Sequence, residues 1–237
     1  MRIRLVFFVA ATVAVLSQAT PSFATQVFFS NLVEPGDQYG PDGLGIGHTP
    51  AYPDGDTWEA LGATGFTPSA TFRLTSIDIA LGYPAGFSGN GPNQADVYLM
   101  NDSGGLPGST IESWDLTNLP TTCGPCPLST ITSPSNPVLV AGNQYWVVAS
   151  GGQQTFDFWT FTLGGNSFDP LATRAILNGV DSGWVLDTSN HRQGALVVSG
   201  DAVPEPTSLA LTILVLPALL LWRCARPPAR HRSSGTR

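Results

Sequence analysis

The chain has 237 residues, 26 of them glycine and 20 proline, a content that leaves little room for long helices. Its ten basic residues are all arginine, and seven of them lie among the first four or last fifteen positions. The body from Thr25 to Ala202 keeps three arginines against sixteen acids, a formal charge of −13, which excludes nucleic acid and anionic lipid as its partners.

At the N-terminus, Arg2 and Arg4 precede an apolar run from Leu5 to Leu16, and Ser22-Phe-Ala24 places small residues where a signal peptidase reads. The run is too short to span a bilayer as a helix. Residues 1–24 are therefore expected to be a secretory signal helix cut after Ala24, with Thr25 as the mature start. The body is long enough for one sizeable core, and nothing in it suggests two domains.

Gln26-Val-Phe-Phe-Ser-Asn-Leu32 reads as an opening strand, followed by a loop from Glu34 to about Asp56 that is dense in Gly, Pro and Asp. Within that loop Gly43-Leu-Gly-Ile-Gly47 follows no strand and opens no helix, so it is read as flexible and not as a phosphate cradle. Asp54-Gly-Asp-Thr-Trp-Glu59 sets Asp54, Asp56 and Glu59 on one short stretch, enough oxygen donors to begin a Ca²⁺ site. The spacing departs from an EF-hand, and solvated loop acids are the commoner reason for such a cluster. No other metal or cofactor is expected.

Ala70-Thr-Phe-Arg-Leu-Thr-Ser-Ile-Asp-Ile-Ala-Leu81 alternates, but its apolar set slips by one residue between Leu74 and Ile77, which predicts a bulge or two abutting strands. Ala95 to Asn101 is a strand that runs into the turn Asn101-Asp-Ser-Gly-Gly105. Further strands are read at Thr110–Leu116, Gln144–Ala149, Gln154–Leu163, Gly183–Leu186 and Gly194–Ser199. Short strands at regular intervals predict an all-β, antiparallel β-sandwich, jelly-roll-like. The aromatics Tyr145, Trp146, Phe156, Phe158, Trp159 and Phe161 could line a groove, although such residues more often fill a sandwich core.

Cys123-Gly-Pro-Cys126 has the form of a redox dithiol but runs into a proline-rich stretch that cannot continue a helix. In an exported protein, Cys123 and Cys126 are better read as a loop-stapling disulfide. Two cysteines fall short of a zinc site. The body holds two histidines, His48 and His191, and neither a Gly-x-Ser-x-Gly elbow nor a His-Glu-x-x-His helix, so no enzyme is expected.

From Thr207 to Trp222 sixteen uncharged residues would reach roughly 24 Å as a helix, against a hydrocarbon core of about 30 Å. Arg223, Arg226, Arg230 and Arg232 follow, a cytoplasmic retention signal beside a short transmembrane helix. Before it stand Val203, Pro204, Glu205 and Pro206, an extended acidic tetrapeptide. This three-part order over residues 203–237 resembles the PEP-CTERM sorting signal of Gram-negative bacteria. The resemblance implies an exosortase as partner, transient insertion in the inner membrane, and delivery to the cell surface or extracellular matrix. A sortase motif Leu-Pro-x-Thr-Gly is absent, and a GPI signal would not carry arginines beyond its apolar tail.

The body, over roughly Thr25 to Ser199, is similar to choice-of-anchor R surface domains. The likeness rests on Ala70–Leu81, on Ala95-Asp-Val-Tyr-Leu-Met-Asn-Asp-Ser-Gly-Gly-Leu-Pro-Gly-Ser-Thr-Ile-Glu-Ser113 and on Gln144-Tyr-Trp-Val-Val148. It implies a module defined by location, with no activity attached. The expectation is a non-catalytic exported protein associated with exopolysaccharide. A lectin-like carbohydrate-binding module is the alternative, and a secreted hydrolase a more distant one.

Overall fold

The computed structural model describes residues 25–32, 39–49, 57–85, 91–121, 127–152, 155–162, 170–187 and 193–203. The chain divides into two units, residues 1–202 and 203–237, and apart from Val203 the described residues lie in the first. Among them no helix is long and apolar enough to cross a membrane. The signal segment 1–24, the apolar span 207–222 and the arginine tail 223–237 lie outside the described residues.

The described chain is all-β, and every strand pairing in it is antiparallel. In order the strands are β1 (Gln26–Ser30), β2 (Tyr39–Thr49), β3 (Trp58–Phe66), β4 (Phe72–Ile79), β5 (Leu81–Gly82), β6 (Gln94–Asp102) and β7 (Pro107–Thr117). Then come β8 (Ser129–Thr132), β9 (Val138–Leu139), β10 (Tyr145–Gly151), β11 (Phe156–Thr162), β12 (Leu171–Leu177), β13 (Val180–Asp187) and β14 (Leu196–Ala202). A smaller sheet runs β1-β14-β4-β8, with β9 also on β4. A larger one runs β5-β11-β2-β3-β10-β6-β7, and the β12–β13 hairpin joins it along β3.

Local pattern explains most of these elements. In β6 the residues Ala95, Val97 and Leu99 are fully buried while Asp96, Tyr98 and Met100 are half-buried, the two-residue period of a strand that shows different surroundings to its two faces. The slip expected between Leu74 and Ile77 is a bulge: Ser199 opposes Ser76 and Gly200 opposes Leu74, leaving Thr75 extra. The same stretch also holds two abutting strands, because after Ala80 the chain leaves the smaller sheet and pairs as β5 with β11 of the larger.

One apolar cluster joins the two sheets. Phe72, Leu74, Ile77, Ile79, Leu196 and Val198 of the smaller meet Phe66, Val97, Leu99, Val147 and Trp159 of the larger. Phe28 stacks flat on Phe72 at 4.2 Å. Hydrogen bonds close both flanks. On one, Thr160 N donates to Ala80 O at 3.0 Å and Ala195 N to Thr160 O at 2.9 Å. On the other, Trp114 Nε1 donates to Thr132 O at 3.1 Å, and the buried Glu112 accepts from Ser133 Oγ at 2.6 Å and Ser135 N at 3.0 Å.

Part of the expected loop between Glu34 and Asp56 is instead a strand, and Gly43-Leu-Gly-Ile-Gly47 is its centre and not a flexible turn. The glycines are there for close approach. A Cβ on Gly43 would lie 2.7 Å from Trp159 O, and one on Gly47 would lie 2.2 Å from Thr155 O. Besides β2, four further strands, β3, β8, β9 and β12, form that the sequence reading did not expect. Asn178-Gly179 links β12 to β13 with φ of 50° and 76°, the backbone of a type I′ hairpin turn.

Candidate functional site

The cluster beneath the smaller sheet occupies only one face of the larger. On the opposite, outer face the register aligns residues from five strands. Asp115 on β7 opposes Asp96 on β6, which opposes Ser150 on β10, then Leu61 on β3 and Arg174 on β12. The next row runs Ser113, Tyr98, Val148, Ala63 and Ala172. The floor is apolar: Ala63, Trp146, Val148 and Ala172 are buried, with Leu61, Tyr98, Met100, Leu106 and Trp184 packed against them.

At the end of this floor β3 forks. Its edge is taken by β10 over Leu61–Phe66 and by β2 over Trp58–Ala60, while β12 holds the other edge. The fork brings His48 of β2 opposite Glu59 of β3. A concavity of about 530 Å³ opens here, lined by His48, Glu59, Leu61, Asp96, Tyr98, Met100, Ser150, Gly151 and Arg174.

The electrostatics are uneven. Burial raises the Asp96 carboxyl above its ordinary range, and Asp115 raises it further by like charge and a carboxyl–carboxyl hydrogen bond, with Glu59 adding to it. Burial likewise raises the Tyr98 phenol, with Asp96, Asp115 and Glu59 contributing, so this hydroxyl stays neutral. Arg174, on the rim, is already paired. Its Nε donates to Asp181 Oδ1 at 2.9 Å and its second arm pairs with Asp181 Oδ2, while the guanidinium lies 6.0 Å from the Trp184 ring centroid. That contact holds the exposed Asp181 carboxyl down at about 2. The Nδ1 of His48 is buried without a hydrogen-bond partner.

A second buried carboxyl lies off this face. Asp157, on the same side of β11 as Trp159, is fully buried, neither oxygen has a partner, and burial lifts its pKa to about 7.

Of the residues singled out in the sequence, Glu59 reaches the concavity, and its proposed calcium partners Asp54 and Asp56 lie outside the described residues. Among the described residues no three His, Cys, Asp or Glu side chains gather as a metal-ligand set. Cys123, Cys126, His191, Pro204, Glu205, Pro206, Arg223, Arg226, Arg230 and Arg232 also lie outside. Val203 follows β14 directly and is half-buried. Of the aromatics offered for a groove, Tyr145, Trp146 and Trp159 are buried and Phe156, Phe158 and Phe161 are half-buried. Trp146 is the one of these that belongs to the floor, where its Nε1 donates to Asp102 Oδ1 at 2.9 Å.

Asp96, Tyr98, Asp115 and Arg174 were not among the expected site residues. The alternation Ala95-Asp-Val-Tyr-Leu puts Asp96 and Tyr98 on one face, but only cross-strand register brings Asp115, Glu59 and Arg174 beside them. No protein-family model matches the chain, and no curated protein sequence matches it.

Proposed function

We propose that this chain is an exported, non-catalytic surface or matrix protein of a Gram-negative bacterium whose outer face associates with exopolysaccharide. The carrying observation is that face itself. Carboxyls, a phenol and the His48 side chain surround a concavity above an apolar floor, an arrangement that offers a sugar both ring stacking and hydrogen bonds. The two sheets are read as a jelly-roll-like β-sandwich, an architecture that leaves a curved face open to an extended polymer.

Delivery is assigned to the tail. Val203, Pro204, Glu205 and Pro206 would present an extended, donor-poor backbone to an exosortase, while residues 207–222 hold the protein in the inner membrane with Arg223, Arg226, Arg230 and Arg232 inside. Signal peptidase acts earlier, after Ala24. The last strand of the smaller sheet ends at Ala202, immediately before the tetrapeptide in the chain.

The test is the intact mass of protein recovered from an exosortase-positive host, combined with co-sedimentation with that host's polysaccharide. The expected form lacks residues 1–24 and Arg237, and Tyr98→Ala sediments less than wild type. A mature form that keeps Arg237, or Glu205→Ala with unchanged processing, overturns the sorting assignment. A secreted glycosidase is the second reading, favoured by the raised Asp96 carboxyl in the same concavity as Glu59. Release of reducing ends, abolished by Asp96→Asn, would put it first.

A further inference from the structure

The charges around the concavity narrow the saccharide to one chemical class. The strands that border it contribute His48 from β2, Glu59 from β3, Asp96 and Tyr98 from β6, Asp115 from β7 beside Asp96, the uncharged Ser150 and Gly151 from β10, and Arg174 from β12. Arg174 is the one arginine of the group, and its charge is already matched by both oxygens of Asp181. Glu59, Asp96 and Asp115 have no ion pair among the described residues. Their surroundings are acidic as well, since the body bears a formal charge of −13 without a lysine. A uronate or sulfated polymer would be repelled here, and a neutral one would leave the carboxyls without counter-charge.

Spacing separates an organic cation from a metal. Asp96 on β6 aligns across β10 with Leu61 of β3, and Glu59 lies two residues further along β3, so two inter-strand steps and a two-residue offset separate the acids by roughly 12 Å along the sheet. No three acidic or imidazole side chains gather closely enough among the described residues to ligate an ion. Between the two acids lie Ser150 and Leu61, and on the other side of Asp96, one row along, stands the Tyr98 ring over the apolar floor, able to face a sugar or an ammonium group. His48 stands on the same rim, opposite Glu59.

We infer that this face binds a polysaccharide of hexosamine units bearing free amines, with ammonium groups against the Asp96–Asp115 pair and Glu59 and a ring face on Tyr98. The inference rests on the saccharide-binding reading of the face and adds the substrate class.

The experiment is calorimetry on the full chain in mild detergent with four probes: chitosan oligomers, fully N-acetylated oligomers of the same length, alginate oligomers and short polylysine. Chitosan is expected to bind at least tenfold tighter than the acetylated oligomer, and alginate not at all. Asp96→Asn and Glu59→Gln should each weaken chitosan at least tenfold without changing the circular dichroism spectrum. Tyr98→Phe should keep the affinity that Tyr98→Ala loses. Equal binding of the acetylated and deacetylated oligomers overturns the amine assignment and leaves the saccharide reading standing. Binding of neither overturns both, and polylysine binding as tightly as chitosan assigns the face to a cationic peptide instead.

Discussion

The two faces of the larger sheet are made by alternate residues of the same strands, yet they answer to different demands. On β6 the inner residues Val97 and Leu99 are fully buried against the smaller sheet, while their neighbours Asp96 and Tyr98 look out over the concavity. The inner face has carboxyls too, and their settings differ. Glu112 is buried but accepts two hydrogen bonds, whereas Asp157 is buried and accepts none. Asp96 is only half-buried and shares its hydrogen bond with another acid, Asp115. A carboxyl pair of like charge on this row opposes folding and does not support it, whereas the apolar floor beneath it is buried.

That contrast can be broken most severely at Trp159. Its ring is fully buried, donates from Nε1 to Ala195 O at 3.2 Å, and lies so close to Gly194 that a Cβ there would meet it at 2.3 Å. Trp159→Ala is expected to lose about 3 to 5 kcal/mol in urea denaturation, the cost of a large unfilled cavity. A loss below 1 kcal/mol would mean that the inner face is not the stabilising one.

Asp157 gives the next effect, read through pH. Its folded pKa of about 7 lies above the usual value near 4 for an unfolded aspartate, so the folded state holds the proton more tightly. The stability linked to this group is therefore complete below pH ~4 and is lost as pH rises through about 7. Between pH 5 and pH 8 the wild type should lose roughly 3 kcal/mol, and Asp157→Asn should flatten most of that slope. An unchanged slope in the variant would show that the carboxyl is not desolvated.

Glu112→Ala removes the acceptor for Ser133 Oγ and Ser135 N, leaving two donors on the flank that links the sheets. We expect a loss of about 1 to 3 kcal/mol, with Glu112→Gln retaining part of it. The smallest change should come from the outer face: Asp96→Asn removes like-charge repulsion from Asp115 and should alter stability by no more than about 0.5 kcal/mol. If Asp96→Asn instead destabilised as much as Glu112→Ala, the outer row would be structural and its assignment to ligand binding would fall.

The strands with strict alternation were legible before any coordinates, as was the slip in Ala70–Leu81, because a period of two and a lost beat in it are properties of consecutive residues. β2 and β3 were not. Tyr39-Gly-Pro-Asp-Gly-Leu-Gly-Ile-Gly-His-Thr49 and Trp58-Glu-Ala-Leu-Gly-Ala-Thr-Gly-Phe66 are rich in glycine, which reads as loop unless the neighbour that demands it is known. Here those neighbours are the β11 backbone and the Leu44 side chain, the latter 2.2 Å from where a Cβ of Gly62 would stand. The Asn178-Gly179 turn carried a usable local signal, and β12 could have been placed from it.

By itself, then, the sequence determined an all-β body, the period of its best strands, its acidity and the terminal patterns that suggest export and sorting, since each of these is written in composition or in neighbouring residues. The tertiary structure alone decided where β3 forks and which acids meet. Glu59, Asp96, Asp115 and Arg174 come from four strands, and a one-residue slip in any pairing would turn a member of the row to the other face.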